Sequence, residues 1–148
     1  MATEPLRVVL DTDVLLAATP SHSPYRIVLD ELFGGGYESF LSTEIFLEYE
    51  EKMGQFFDPE TSDSIVGGMN LLPNVHRVEP HFNLKLITAD PDDDKFVDCA
   101  FAANVNYLVT NDRHFNVLKS LNFPKINLMR IEAFADLLRS RRIATQVV

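Results

Sequence analysis

The feature of this sequence that most constrains its fold is an alternation of short apolar runs with longer amphipathic segments. The runs at 7–10 (RVVL), 37–42 (YESFLS) and 107–110 (YLVT) predict buried strands. Helix signals lie between them: Ser23-Pro24 is typical of a helix start, and the glycines at 34–36 of a helix end. This alternation predicts βα units around a parallel sheet.

The length of 148 residues favours one domain, which we assign to residues 1–148 with a core at about 7–138. A chain of this size can bury a real core without a disulfide or a structural metal. The other predicted elements are helices over about 24–33, from 43, and over 58–72, 93–103, 115–121 and 131–139, and strands over 75–78, 85–88 and 126–129.

Acidic residues dominate the charge and mark a candidate site. A net charge of −9 by itself argues against a nucleic-acid partner, because phosphates bind mainly Lys and Arg. However, two predicted strands end in acids: the strand at 7–10 runs into Asp11, and the strand at 107–110 ends at Asn111-Asp112. The carboxyl ends of parallel strands form the ligand crevice of such sheets. Because a buried carboxylate is costly unless it is paired or bound to a cation, these acids predict a cation site.

Three more acids fit a metal site of this kind. Asp94 and Asp98 are four residues apart on one face of the helix predicted over 93–103, where like charges repel unless a cation lies near them. Glu48 lies in another predicted helix beside apolar residues, and its alternative interpretation is an ordinary solvated acid. Carboxylates suit Mg²⁺, and paired cations about 3.5–4 Å apart can activate water for attack on a phosphodiester.

The His and Cys residues offer no competing site. The four histidines lack metal-ligand spacing, and Cys99, the only cysteine, is predicted to be a buried core residue that fits a reducing compartment. No apolar run is long enough to span a bilayer, and the N-terminus lacks a signal-peptide layout. We therefore expect a cytoplasmic protein without a membrane partner.

Three segments together resemble the PIN-domain ribonucleases, in particular the branch described as toxins of toxin–antitoxin systems. They are VVLDTDVLLAA, LSTEIFLEYEEKM and DPDDDKFVDCAFAANVNYLVTNDRHF, and they follow the family's order and spacing. The last, with YLVTNDRHF, is the most specific. The resemblance implies a parallel, about five-stranded α/β/α sandwich and an endoribonuclease that depends on Mg²⁺ or Mn²⁺.

The resemblance also implies a catalytic set of five acids. Four would hold the metal, directly or through water, and the fifth, Glu48, would orient one ion. The four implied ligands are Asp11, Asp94, Asp98 and Asp112.

Four further positions support this set. Thr110 and Asn111 match family positions that frame the site. Asp13 stands where the family more often has Asn or Ser, so its role stays open. The run of three acids at 92–94 leaves the register open, and Asp93 is the alternative to Asp94.

The partners implied by the resemblance are RNA as substrate, a small antitoxin protein and a second copy of the chain. In so acidic a chain, RNA contacts would have to come from local basic residues, all of which are equally compatible with an ordinary surface role. These are Arg26, Lys95, Arg113, His114 and Lys119.

Two alternatives compete with the ribonuclease interpretation. VVLDTDVLL also resembles the opening D-x-D of haloacid-dehalogenase-type phosphatases, in which Asp11 would be a covalent nucleophile and Asp13 the general acid. Against it, Leu15 replaces the expected Thr or Val, and no strand-end acid such as Asp112 is expected. The other alternative is a non-catalytic PIN-fold interaction module, against which the complete set of acids argues.

Overall fold

The computed structural model describes residues 4–147 and has a five-stranded sheet at its centre. The strands are β1 (Arg7–Leu10), β2 (Glu38–Leu41), β3 (Val75–Arg77), β4 (Tyr107–Val109) and β5 (Leu128–Met129). They lie in the order β3-β2-β1-β4-β5, and all neighbouring pairs are parallel. The predicted parallel, five-stranded sheet is therefore confirmed.

Helices connect the strands and cover both faces of the sheet. They are α1 (Thr12–Ala18), α2 (Ile27–Phe33), α3 (Thr43–Phe56), α4 (Pro59–Ser62), α5 (Asp94–Ala103) and α6 (Ile131–Val147). Val8, Val9 and Leu10 of β1 are all fully buried. Because successive strand side chains point to opposite faces, both faces must be covered, as in a three-layer α/β/α sandwich.

Tighter or wider helical turns complete the chain. A π-helical turn over Asp63–Gly67 follows α4, and 3₁₀ turns span Pro91–Asp93 and Arg113–Ser120. Of the domain assigned to 1–148, residues 1–3 and 148 lie outside the described part. Among residues 4–147, no helix combines the length and apolar character needed to cross a membrane.

The prediction of a strand over 85–88 is wrong. The backbone N–H groups of Leu84 and Ile87 donate to the carboxylates of Asp98 and Asp94 instead of to a neighbouring strand. A short apolar run indicates burial, but it does not reveal the partner that its backbone will find.

Several predicted helix bounds also differ from the structure. The helix predicted from 24 begins at Ile27, and the last helix continues to Val147 instead of ending at 139. The helix predicted over 58–72 is α4 followed by the π turn, and that over 115–121 is the 3₁₀ turn. The pattern did not predict α1, which starts immediately after the first strand-end acid.

Candidate active site

Asp11 occupies the position where β1 ends and α1 begins. Its backbone N–H donates to the Val109 carbonyl at 3.0 Å, which extends the contact between β1 and β4 by one residue. Although Asp11 is the N-cap residue of α1, its side chain makes no capping hydrogen bond. The buried carboxylate instead accepts a hydrogen bond from Thr110 Oγ1 at 2.7 Å. The end of β1 therefore directs an acid toward the end of β4.

The segment after β4 brings a second acid to the same place. The Thr110 hydroxyl that donates to Asp11 also accepts the Asp112 N–H at 3.0 Å. Asn111 faces another element, because its Oδ1 accepts the Ile131 N–H of α6 at 2.9 Å. Thr110 thus links the two acids, and Asn111 anchors the segment that carries them.

Asp93 is the third acid of this region, and it lies directly before α5. Its Oδ2 atom is buried and has no hydrogen-bond partner within the described residues. His114 Nδ1 lies 3.7 Å from that oxygen and 3.5 Å from Asp112 Oδ1, so the imidazole stands between the two carboxylates. A buried carboxylate oxygen without a donor is costly unless a cation compensates for it.

The surroundings of Asp11 disfavour its charged form. Burial raises the pKa of Asp11 to about 6, although the hydrogen bond from Thr110 acts in the opposite direction. Three neighbouring negative charges raise this pKa further, those of Asp13, Asp112 and Glu48.

The pKa of Asp93 is raised for the same reasons. Burial raises its pKa to about 7, the charges of Asp90, Asp11 and Asp112 add to the rise, and His114 opposes it. Both shifts report carboxylates that lack compensating positive charge. We call Asp11, Asp93 and Asp112 the acid cluster.

A divalent cation fits the chemistry of the acid cluster. Its donor atoms are carboxylate oxygens, the hard ligands that Mg²⁺ and Mn²⁺ take, and one of them is the buried, unpartnered Asp93 Oδ2. At its rim, Asp90, Asp93 and His114 offer ligand atoms that all lie within 4.8 Å of one another. Asp90 was absent from the predicted site. In the sequence, Asp90 precedes Pro91, a pattern typical of a helix cap. Asp90 does form such a cap, because its carboxylate accepts the Asp92 N–H.

The structure does not bring Asp94 and Asp98 to the acid cluster. Asp94 Oδ1 accepts the Ile87 N–H at 2.8 Å, and Asp98 Oδ1 accepts the Leu84 N–H at 3.0 Å. The reason is the helical register. Because α5 begins at Asp94, Asp94 and Asp98 lie one turn apart on the same face of the helix, and this face contacts the segment at 83–88. Burial and the charges of Asp94 and Glu44 raise the pKa of Asp98, and the hydrogen bond from the Leu84 N–H opposes this rise.

Glu48 lies at the edge of the acid cluster and is already paired. It accepts a hydrogen bond from Thr12 Oγ1, and Lys95 Nζ lies 2.8 Å from its Oε1. The same ammonium lies 2.9 Å from Asp92 Oδ1, and only 5% of the lysine side chain is exposed. Burial lowers the Lys95 pKa, but the hydrogen bonds to both acids outweigh it and the net shift is upward.

Lys95 is therefore an internal cation of the site rather than a surface contact for RNA. Sequence reasoning named it but missed this role. The signal was available in its spacing of three residues from Asp92 on a helical turn.

The remaining predicted residues are divided between the site and the surface. Asp13 is exposed, and its charge acts on Asp11. Arg26 binds Asp30 and a backbone carbonyl away from the cluster. Arg113 and Lys119 are exposed and belong to the 3₁₀ turn that begins directly after Asp112.

Comparison with known proteins agrees with this geometry. Residues 7–114 match the PIN domain family. The crystal structure of VapBC2 from Rickettsia felis, bound to a DNA fragment from its promoter, superimposes with a TM-score of 0.56 at 18% sequence identity. That match covers 84% of this chain and 98% of the other. A search of curated proteins found no match.

The acid cluster lies at the carboxyl end of the parallel sheet, where α/β domains bind their ligands. The chain belongs to the PIN-domain family, whose members are nucleases. This assignment replaces the haloacid-dehalogenase-type phosphatase interpretation of Asp11 and Asp13.

Proposed function

We propose that the chain is a metal-dependent endoribonuclease that hydrolyses RNA phosphodiester bonds at the acid cluster. Asp11, Asp93 and Asp112 would hold one or two Mg²⁺ or Mn²⁺ ions. When bound, such an ion supplies positive charge to the phosphoryl oxygens and lowers the pKa of a coordinated water. The observation that carries the proposal is the buried Asp93 Oδ2, which lacks a hydrogen-bond donor among the described residues beside two further acids.

The surrounding residues would hold these acids in place. Thr110 orients the Asp11 carboxylate, and Lys95 holds Glu48 at the edge of the cluster. Asp94 and Asp98 tie the segment at 83–88 to α5, directly after Asp93. The sequence left open whether Asp93 or Asp94 is a metal ligand, and in this proposal the ligand is Asp93. Asp94 and Asp98 are positioning residues.

We further propose that the nuclease is the toxin of a toxin–antitoxin pair in the cytoplasm. Support comes from the sequence resemblance and from the likeness in fold to VapBC2. A small antitoxin would cover the acid cluster or insert a basic side chain into it, and the chain would form a homodimer. Expression of the chain alone should arrest growth, and co-expression of its antitoxin should restore it. Growth arrest that persists in the Asp11→Asn variant would contradict a toxin role based on cleavage.

The enzymatic proposal is tested with a labelled single-stranded RNA. Wild-type protein should cleave it internally with Mg²⁺ or Mn²⁺ and stop when EDTA is added. Cleavage that continues in EDTA would contradict a metal-dependent mechanism. If the ions cause neither cleavage nor a rise in melting temperature, the chain is the non-catalytic interaction module.

A further inference from the structure

A cavity of about 130 Å³ opens beside the acid cluster at the edge of the sheet. One wall is the segment Thr110, Asn111 and Asp112, the same turn that carries an acid into the cluster. Leu128 and Met129, which form the edge strand β5, also line the cavity. The cavity and the acid cluster therefore share the turn that follows β4.

The charge of this cavity is opposite to that of the cluster. Three cationic side chains line it, Arg113, Lys119 and Arg130, against one acid, Asp112. Arg113 and Lys119 form no ion pair within residues 4–147. Within the same residues, the ion pair of Arg130 is an exposed contact with Glu132 at 3.5 Å. In a protein of net charge −9, three little-compensated cations around one cavity require an explanation.

Neutral donors add to the positive charge. Asn111 Oδ1 accepts the Ile131 N–H, so the orientation of this amide is fixed and its Nδ2 remains available as a donor beside the cavity. Asn116 supplies a second amide. A guanidinium, an ammonium and amide N–H groups are the set that binds phosphate oxygens through charge-assisted hydrogen bonds.

We propose that this cavity binds a phosphate of the RNA strand adjacent to the phosphate that is cleaved, an inference that rests on the proposed ribonuclease function. Asp112 belongs to both sites, so a strand whose reacting phosphate lies at the acid cluster passes directly into the cavity. The cations there offset the negative field that otherwise repels RNA from this acidic protein. The acidic side chains of a partner polypeptide are the competing occupant.

The test compares two double variants of the full chain that lose the same charge. Arg113→Gln with Lys119→Gln removes two cavity cations, whereas Lys85→Gln with Lys52→Gln removes two exposed cations that line neither this cavity nor the one beside it. Binding of a fluorescent single-stranded RNA is measured in EDTA by anisotropy at several salt concentrations. All four side chains are exposed, so melting temperatures should match that of wild type.

The cavity variant should bind RNA roughly tenfold more weakly, the size expected for two exposed charge contacts. The slope of log affinity against log salt should fall by about 1.4, which is about 0.7 for each lost phosphate contact with a single strand. The control variant should stay within about twofold of wild type, because its charges lie outside the cavity. Equal weakening of both variants would overturn the subsite and assign the effect to net charge.

Two further measurements keep the outcomes separate. An oligo-glutamate peptide is titrated in the same assay. If the cavity variant loses affinity for the peptide but not for RNA, the cavity serves an acidic polypeptide and the proposal is wrong.

Cleavage of the RNA by wild type with Mn²⁺ is measured in parallel. Absence of cleavage would contradict the proposed function, whereas binding in EDTA decides the subsite independently.

Discussion

Asp93 and Asp94 are consecutive in the chain, but their carboxylates have opposite surroundings. Asp94, like Asp98 one turn later, accepts a backbone N–H from the segment at 83–88. Asp93 presents a buried oxygen to Asp11 and Asp112 and receives no hydrogen bond from the described residues. Each acid of the pair Asp94 and Asp98 therefore receives a backbone donor from the fold. Within the acid cluster, Thr110 donates to Asp11 and the His114 N–H donates to Asp112, so the buried oxygen that the described residues leave without a donor is Asp93 Oδ2.

Glu48 provides an intermediate case between these two regions. Its negative charge acts on Asp11, but the buried Lys95 already neutralises it. The acids at this end of the sheet thus differ in their partners: some accept a backbone or hydroxyl hydrogen bond, and Glu48 pairs with the internal cation Lys95. The buried Asp93 Oδ2 has no hydrogen-bond donor among the described residues. The comparison indicates that a missing hydrogen-bond donor, rather than the number of acids, marks the proposed metal site.

The largest expected difference between the acid cluster and the pair Asp94 and Asp98 is in the rate of RNA cleavage. Asp11→Asn should lower metal-dependent RNA cleavage at least about 100-fold, because a metal ion contributes several kcal/mol to transition-state stabilisation. Asp98→Asn, whose amide oxygen can still accept the Leu84 N–H, should cost less than about tenfold. Initial cleavage rates with saturating Mn²⁺ measure both. Similar losses in the two variants would remove the distinction between the regions.

Metal binding should stabilise only proteins with an intact acid cluster. An ion present at about 100 times its dissociation constant adds about 2.7 kcal/mol to the free energy of unfolding. For a chain of this length, that corresponds to a rise in melting temperature of roughly 5–10 °C. Thermal unfolding with and without Mn²⁺ tests this rise. The rise should persist in Asp98→Asn and disappear in Asp11→Asn; its persistence in Asp11→Asn would place the ion elsewhere.

Removing a compensated acid should destabilise the protein without metal. Asp94→Ala leaves the Ile87 N–H without its acceptor, and Ile87 is buried. The loss should be about 2–3 kcal/mol in the free energy of unfolding, as for a hydrogen bond to a charged group. Urea denaturation in EDTA measures this change. An unchanged midpoint would show that the segment at 83–88 does not depend on this acid.

When metal is absent, removing an acid of the acid cluster should stabilise the protein, whereas removing Asp94 should destabilise it. Asp11 titrates near its usual value of 3.8 when unfolded and at about 6 when folded, so the folded state binds more protons between these values. Stability contributed by this group should therefore fall as pH rises from about 4 to about 7. Asp11→Asn should gain about 1–2 kcal/mol at pH 7.5 in EDTA. A loss of stability in this variant at that pH would contradict the raised pKa.

Much of the fold was predictable because its pattern is local. Strands that are buried on both faces appear as short apolar runs, such as 7–10, and turn or cap residues separate them from helices. The false strand at 85–88 has the same apolar appearance. Its backbone is satisfied by side chains of α5, a contact that depends on tertiary structure and leaves no local signal.

The candidate site was predictable in outline but not in register. Asp11 follows β1 directly and Asp112 lies three residues after the end of β4, so strand prediction alone indicated where both acids lie. The three acids at 92–94 differ by about 100° of helical rotation per residue, and only the exact start of α5 decides which one faces the cluster. For the same reason, Lys95 was identified as a basic residue near the site but not as the partner of Glu48.

The most direct test is a comparison of Asp93→Asn with Asp94→Asn in one RNA-cleavage assay with saturating Mn²⁺ and EDTA controls. Each change removes one negative charge from adjacent positions and keeps the size of the side chain. The account predicts that Asp93→Asn loses at least about 100-fold in cleavage rate, whereas Asp94→Asn stays within about fivefold of wild type. If Asp94→Asn loses the greater activity, or both lose it equally, the assignment of the acid cluster is contradicted.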